Sequence, residues 1–259
     1  MTGGLTTRHT SRMSERMSVP TDAGEMPAHL WLPEGGTGPG LLLLQEIFGV
    51  SGYIQRRGSD LAAAGYVVLA PELYWRLDGT GVDESAPSAI DDAMDLAGRL
   101  NWDTALGDAV TALAHLRGRD EVRGGTGLIG FCLGGGLAFN VAAQDSPDAL
   151  VSYYGSSIPD LLDLAPMVNV PSLHHFGLAD AYIDPATVER VRGAVTADGR
   201  PAEFEVYEGA NHAFDNDNFS FHHPEASALA WQRTLDFLGR TLPTVRLRGV
   251  PGTSPAGVL

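Results

Sequence analysis

"GLIGFCLGGGLAF", residues 127–139, holds the only cysteine of the chain, Cys132, between an apolar run and a glycine-rich stretch of helical composition. Gly130-Phe131-Cys132-Leu133-Gly134 has the form of a G-x-nucleophile-x-G elbow, a sharp strand-to-helix turn that stands its central side chain at the top of a sheet. Cys takes the place usually held by Ser. Such a turn strains the nucleophile's backbone, and side chains two residues to either side would keep the helix from packing against the strand, so both flanks are glycine. The helix N-terminus that follows favours a thiolate and offers free N–H groups to an oxyanion. A dinucleotide-binding turn is the competing reading, but "GFCLGGG" does not supply the G-x-G-x-x-G spacing.

Outward from this turn, apolar runs and helical patterns alternate. "GPGLLLLQEIFG" (38–49) is continuously apolar at its centre, as expected of a strand covered on both faces. "VVLAPELY", "TGLIGFC", "ALVSYYG", "PSLHHFG" and "AEFEVYEG" read as further strands, and "PAHLWLP" (27–33) as an edge strand. Between them "YIQRRGSDLAAAGY", "IDDAMDLAGRL", "DTALGDAVTALAHL", "GGGLAFNVAAQ", "PATVERVRGAV" and "PEASALAWQRTLDFLGRTL" carry helical spacing. The alternation predicts an α/β fold: a mostly parallel, doubly wound sheet with helices on both faces and its site at the carboxyl ends of the strands.

At 259 residues with 44% hydrophobic content the chain can bury one large core. Residues 19–240 are expected to form a single domain, residues 1–18 a disordered extension, and residues 241–259, rich in Pro, Gly and Thr, a flexible tail. No apolar run approaches the roughly 18 residues that span a bilayer. The net charge of −15 disfavours nucleic acid or an anionic membrane as partner, because a polyanion would be repelled. A lone cysteine and an N-terminus without an apolar signal region both fit a reducing cytoplasm.

A thiol nucleophile needs a base and an acid to orient it, and in this kind of fold the chain order is nucleophile, acid, histidine. "HHFGLADAYIDP" closes one strand and offers Asp180 and Asp184; "YEGANHAFDND" closes the next and offers His212. Asp180 sits nearer the strand end, whereas Asp184-Pro185 reads as the cap and first turn of a helix, so Asp180 is the predicted partner of His212. The His174-His175 pair is expected inside a strand, one ring packed and one outward. None of the histidine groups has a recognised ligand spacing, and no metal site is predicted.

"QEIFG" (45–49), "GFCLGG" (130–135), "GLAD" (177–180) and "NHAF" (211–214) together resemble the dienelactone hydrolase family of α/β-hydrolases, over roughly Pro27 to Leu238. The resemblance implies an α/β-hydrolase fold and a triad of Cys132, Asp180 and His212. It makes Glu46 the group that pairs with the thiol and takes its proton, and the backbone N–H groups of Leu133 and Ile47 the oxyanion donors. Glu46 stands one residue beyond four consecutive leucines, where burial should raise its pKa. Family members that act on dienelactone grip its carboxylate with arginines. One of these positions is Asn216 here, beside Asp215 and Asp217; the other falls near Ile90, where "APSAIDDAMDL" has none. Arg76 in "LYWR" matches a family pattern near the site, as a candidate partner for Glu46 or a substrate anion.

These residues predict a cofactor-free hydrolase that cleaves a small ester or lactone through a thioester on Cys132, with the loop after His212 disfavouring a carboxylated substrate. The alternatives are a non-catalytic α/β-hydrolase-fold receptor or interaction protein, and a redox-sensing thiol protein.

Overall fold

Gly38–Leu44 forms strand β3, and every one of its residues is buried. Side chains alternate across a strand, so Leu42 and Leu44 enter one core layer while Leu41 and Leu43 enter the other. An unbroken apolar run is the pattern that burial on two faces requires. The computed structural model describes residues 13–77 and 81–244.

The other strands are β1 (Glu15–Thr21), β2 (Gly24–Trp31), β4 (Val67–Pro71), β5 (Val122–Phe131), β6 (Ala149–Tyr153), β7 (Ser172–Gly177) and β8 (Ala202–Tyr207). They form one eight-stranded sheet in the order β1-β2-β4-β3-β5-β6-β7-β8. Pairing is antiparallel from β1 through β2 to β4 and parallel from β4 to β8. Helices α1 (Gly52–Ala63) and α6 (Pro224–Thr241) cover one face with residues such as Ile54, Leu61, Ala230 and Phe237. Helices α3 (Trp102–Arg117), α4 (Leu133–Gln144) and α5 (Pro185–Val195) cover the other with Leu113, Phe139 and Val188. Helix α2 (Ala89–Gly98) packs through Ala89 and Ala93 against Phe48 instead.

Four expectations need correction. "PAHLWLP" is not an edge strand: β2 lies between β1 and β4. The edge is β1, which begins inside the segment expected to be disordered; only Val19 of its seven residues is buried, too sparse a pattern to announce a strand. It is held by full pairing with β2, from Glu15 opposite Leu30 to Thr21 opposite Gly24. Residues 1–12 of that expected extension lie outside the described residues. At the other end α6 runs to Thr241 and Leu242 is buried, so these two residues belong to the fold; residues 245–259 also lie outside the described residues. Finally, neither His174 nor His175 points outward. Both are fully buried, because helices cover both faces of β7, and burial lowers both pKa values, that of His174 to about 4.

The parallel strands present their carboxyl ends along one edge. The loops after β3, β5, β7 and β8 begin there with Gln45, Cys132, Leu178 and Glu208.

Candidate active site

Cys132 is the single residue between β5 and α4, at φ 52° and ψ −114°. Left-handed backbone of this kind is costly for a residue with a Cβ and is held only where its surroundings over-determine it. Those surroundings leave no space for side chains on either flank. A Cβ on Gly130 would run into the Gly134 carbonyl, and one on Gly134 into the carbonyls of Leu44 and Gln45. Gly134 N–H donates to Gln45 O (2.9 Å), which ties the start of α4 to the loop after β3. That loop is closed by Gly49 N–H to Glu46 O (3.2 Å) and anchored by Leu73 N–H to the Gln45 side chain (3.1 Å).

His212 Nε2 lies 3.1 Å from Cys132 Sγ, and His212 Nδ1 lies 2.7 Å from Asp180 Oδ2. Asp180 is itself fixed, since its other oxygen accepts the N–H groups of Tyr182 (2.8 Å) and Ile183 (3.0 Å). The Asn211 side chain accepts from both Ala181 N–H (3.0 Å) and His212 N–H (2.7 Å), joining the two loops that carry acid and histidine. Burial alone would lower the His212 pKa. The Cys132 sulfur and the Asp180 carboxylate outweigh it and push the value up to about 10. Asp184 stays out of this line: it caps α5, accepting from Thr187 N–H at 2.9 Å.

Glu46 is buried and accepts from Tyr154 OH (3.1 Å) and Asn216 Nδ2 (2.8 Å). Desolvation outweighs these hydrogen bonds and raises its pKa to about 7. The thiol does not sit on Glu46, contrary to what the resemblance implies. Its polar neighbours are His212 and, at 3.8 Å, Ser156 Oγ, while Glu46 borders the same cleft.

That cleft is about 300 Å³ in volume. Ile47 and Leu133 stand beside Cys132 in its wall, and Phe48, Phe221 and the α2 residues Ile90 and Met94 make the rest mainly apolar. Leu133 is the first residue of α4, so its N–H has no acceptor within the helix. Backbone strain gathers here. Among the described residues, Cys132, Tyr154 and Ala213 are three of the four non-glycine residues with positive φ; Tyr154 donates to Glu46 and Ala213 follows His212. Also among the described residues, no group of three or more His, Cys, Asp or Glu is placed to hold a metal ion.

The sequence profile of the dienelactone hydrolase family matches residues 26–242. The chain belongs to the dienelactone hydrolase family. A carboxymethylenebutenolidase of a Pseudomonas species is 33% identical over 237 residues, covering 89% of this chain and 97% of the relative. One of Pseudomonas putida is 32% identical, covering 87% and 96%. A solved structure from Klebsiella pneumoniae, described as a candidate dienelactone hydrolase, superposes with a TM-score of 0.77 at 29% identity, covering 88% of this chain and 98% of that one. This member of the dienelactone hydrolase family is therefore a hydrolase. Among the described residues no helix is long and apolar enough to cross a membrane.

This dienelactone hydrolase family member places two predicted substrate residues elsewhere. Arg76 does not line the cleft: it grips Asp108 of α3 through Nε (3.1 Å) and Nη2 (2.7 Å) and lies over the Trp75 ring. Asn216 is fully buried behind Glu46, donating also to Glu84 Oε1 at 3.1 Å. The neighbouring acids face away from the cleft as well. Asp215 accepts from Tyr53 OH, Arg57 Nε (2.8 Å) and Ser227 Oγ (2.6 Å), and Asp217 pairs with Arg56 at the surface. In the loop after His212, Asn216 thus supports the buried acid, and Asp215, Asn216 and Asp217 do not line the cleft, whereas Ala213 and Phe221 do. Tyr154, Asn211 and Ser156 are site residues that sequence reasoning missed. Tyr154 reads as the end of a strand, and nothing in "SYYG" signals its turn to φ 37°.

Proposed function

We propose that this chain hydrolyses a small ester or lactone through a thioester acyl-enzyme on Cys132. The reading is carried by the unbroken line from Asp180 through His212 to Cys132, at 2.7 and 3.1 Å, opening into an apolar cleft.

The Cys132 thiolate attacks the substrate carbonyl carbon, and the electron pair moves to the carbonyl oxygen. The N–H groups of Leu133 and Ile47 hold that oxyanion; a donor of this kind is typically worth about 3 kcal/mol. When the C–O bond breaks, the imidazolium of His212 gives its Nε2 proton to the departing alkoxide. The neutral ring then takes a proton from water, whose hydroxide attacks the thioester, and collapse releases the acid and the thiolate. Asp180 keeps the proton of the ring on Nδ1 and the ring in place throughout. Glu46, with its pKa of about 7, can take up or release a proton within the cleft near neutrality. Every step uses protein groups and water.

Cys132 is the only thiol, so a single equivalent of iodoacetamide tests the reading. Quantitative labelling, or Cys132→Ala, should abolish turnover of p-nitrophenyl acetate. Turnover that survives labelling removes Cys132 from the mechanism, and binding without any turnover would mark the fold as a receptor.

A further inference from the structure

Helix α2 has two apolar faces. Ala89, Ala93 and Leu96 are buried beneath it. Ile90, Met94 and Ala97 line the cleft, with Ile90 38% and Met94 54% exposed. Residues i, i+4 and i+7 share one face of a helix, so this second stripe is continuous and ends beside the nucleophile. Exposed side chains of this size cost free energy that an apolar ligand recovers by covering them.

The charges of the cleft point the same way. Among the described residues no arginine lines it, and the chain contains no lysine. The arginines of neighbouring segments are held by carboxylates: Arg56 by Asp217, Arg57 by Asp215 and Arg76 by Asp108. His212, the one basic side chain among the described residues of the wall, has its two ring nitrogens on Asp180 and Cys132. Glu46 borders the cleft from within a chain whose net charge is −15. A substrate carboxylate would find no free cation there.

Resting on the ester-hydrolase reading above, we infer that the cleft takes an uncharged substrate whose apolar portion lies along α2 against Ile90 and Met94, and that it excludes carboxylated esters. This differs in cause from the expectation drawn from sequence. The selectivity comes from the apolar stripe of α2 and from Glu46 in a wall without a free cation, and not from the acids after His212, which face elsewhere.

The test compares kcat/KM for methyl 4-acetoxybenzoate with that for the 4-acetoxybenzoate anion, in wild type, Ile90→Arg and Met94→Arg, each against a Cys132→Ala control. A second series runs p-nitrophenyl acetate, butyrate and hexanoate. The wild type should favour the neutral ester by about tenfold or more, the size of a like-charge contact that solvent partly screens, and the gap should shrink at high salt. Both arginine variants, at positions exposed enough to keep the fold, should narrow the gap mainly through KM. In the wild type the butyrate should exceed the acetate. A Cys132-dependent preference for the anion overturns this inference and leaves the hydrolase reading standing. A gap that neither arginine changes overturns the placement on α2. Absence of any Cys132-dependent turnover overturns the hydrolase reading and this inference with it.

Discussion

Glu46→Gln should make the protein less sensitive to rising pH. The buried Glu46 carboxyl has its pKa raised from 4.5 to about 7, chiefly by desolvation. Each tenfold change in an ionisation equilibrium is worth about 1.4 kcal/mol, so ionised Glu46 is about 3 kcal/mol less favourable folded than unfolded. The folded state holds the proton more tightly. Stability from this group is therefore complete below pH 4.5 and is lost as pH climbs through about 7. Glutamine does not titrate. It keeps one of the two contacts with Tyr154 and Asn216 in good geometry and loses about 1 kcal/mol on the other, at every pH. The stability of Glu46→Gln relative to wild type should thus rise by about 2.5 kcal/mol between pH 5 and pH 8. Urea unfolding of both proteins at the two pH values measures this difference directly, and the constant hydrogen-bond cost cancels from it. Parallel behaviour of wild type and variant over that range would refute the argument, because it would mean that Glu46 ionises in the folded chain as readily as in water.

Three further substitutions separate catalytic from supporting contacts. Asp180→Asn keeps an oxygen for the N–H groups of Tyr182 and Ile183 but misorients His212, so kcat should fall by about 10⁴-fold with the fold intact by circular dichroism. Asp184→Asn, at the α5 cap, should leave kcat unchanged and cost less than about 1 kcal/mol in urea unfolding. Arg76→Ala should leave kcat/KM for a neutral ester within about twofold, since the guanidinium serves Asp108, and lower stability by about 1–2 kcal/mol because Asp108 keeps only Trp75 as a partner.

Much of the fold was legible in the sequence because the strands under double cover are written as unbroken apolar runs. Leu41–Leu44 and Val67–Pro71 could be read directly, and both are buried throughout. β1 could not, since it joins an edge, exposes most of its side chains and draws its stability from backbone pairing that any sequence can offer. The elbow was legible for a different reason: close backbone approach excludes side chains, and that exclusion shows as glycine. His212 and Asp180 followed from chain order and strand ends. The orientation of side chains in the following loop was not legible. Asp215, Asn216 and Asp217 are consecutive, yet they serve α1 and α6, the buried acid and the surface. Three neighbours with three destinations depend on loop dihedrals, which no periodicity records. Arg76 illustrates the same limit, since its partner Asp108 comes from a helix 32 residues on in sequence.

The left-handed backbone at Cys132, Tyr154 and Ala213 also bears on how such a protein can be changed. Each such position holds on the order of 1–3 kcal/mol of strain that a glycine would release. The substitutions that relax the backbone here are the ones that erase the thiol, the phenol donating to Glu46, or the residue beside His212. At Cys132 and Ala213 a glycine would release that strain for the loss of a small side chain, whereas at Tyr154 it would empty the space of a fully buried ring and cost more than it releases. Robustness has to be sought away from the carboxyl edge of the sheet, for instance at the sparsely buried strand Glu15–Thr21, where nothing reactive is at stake.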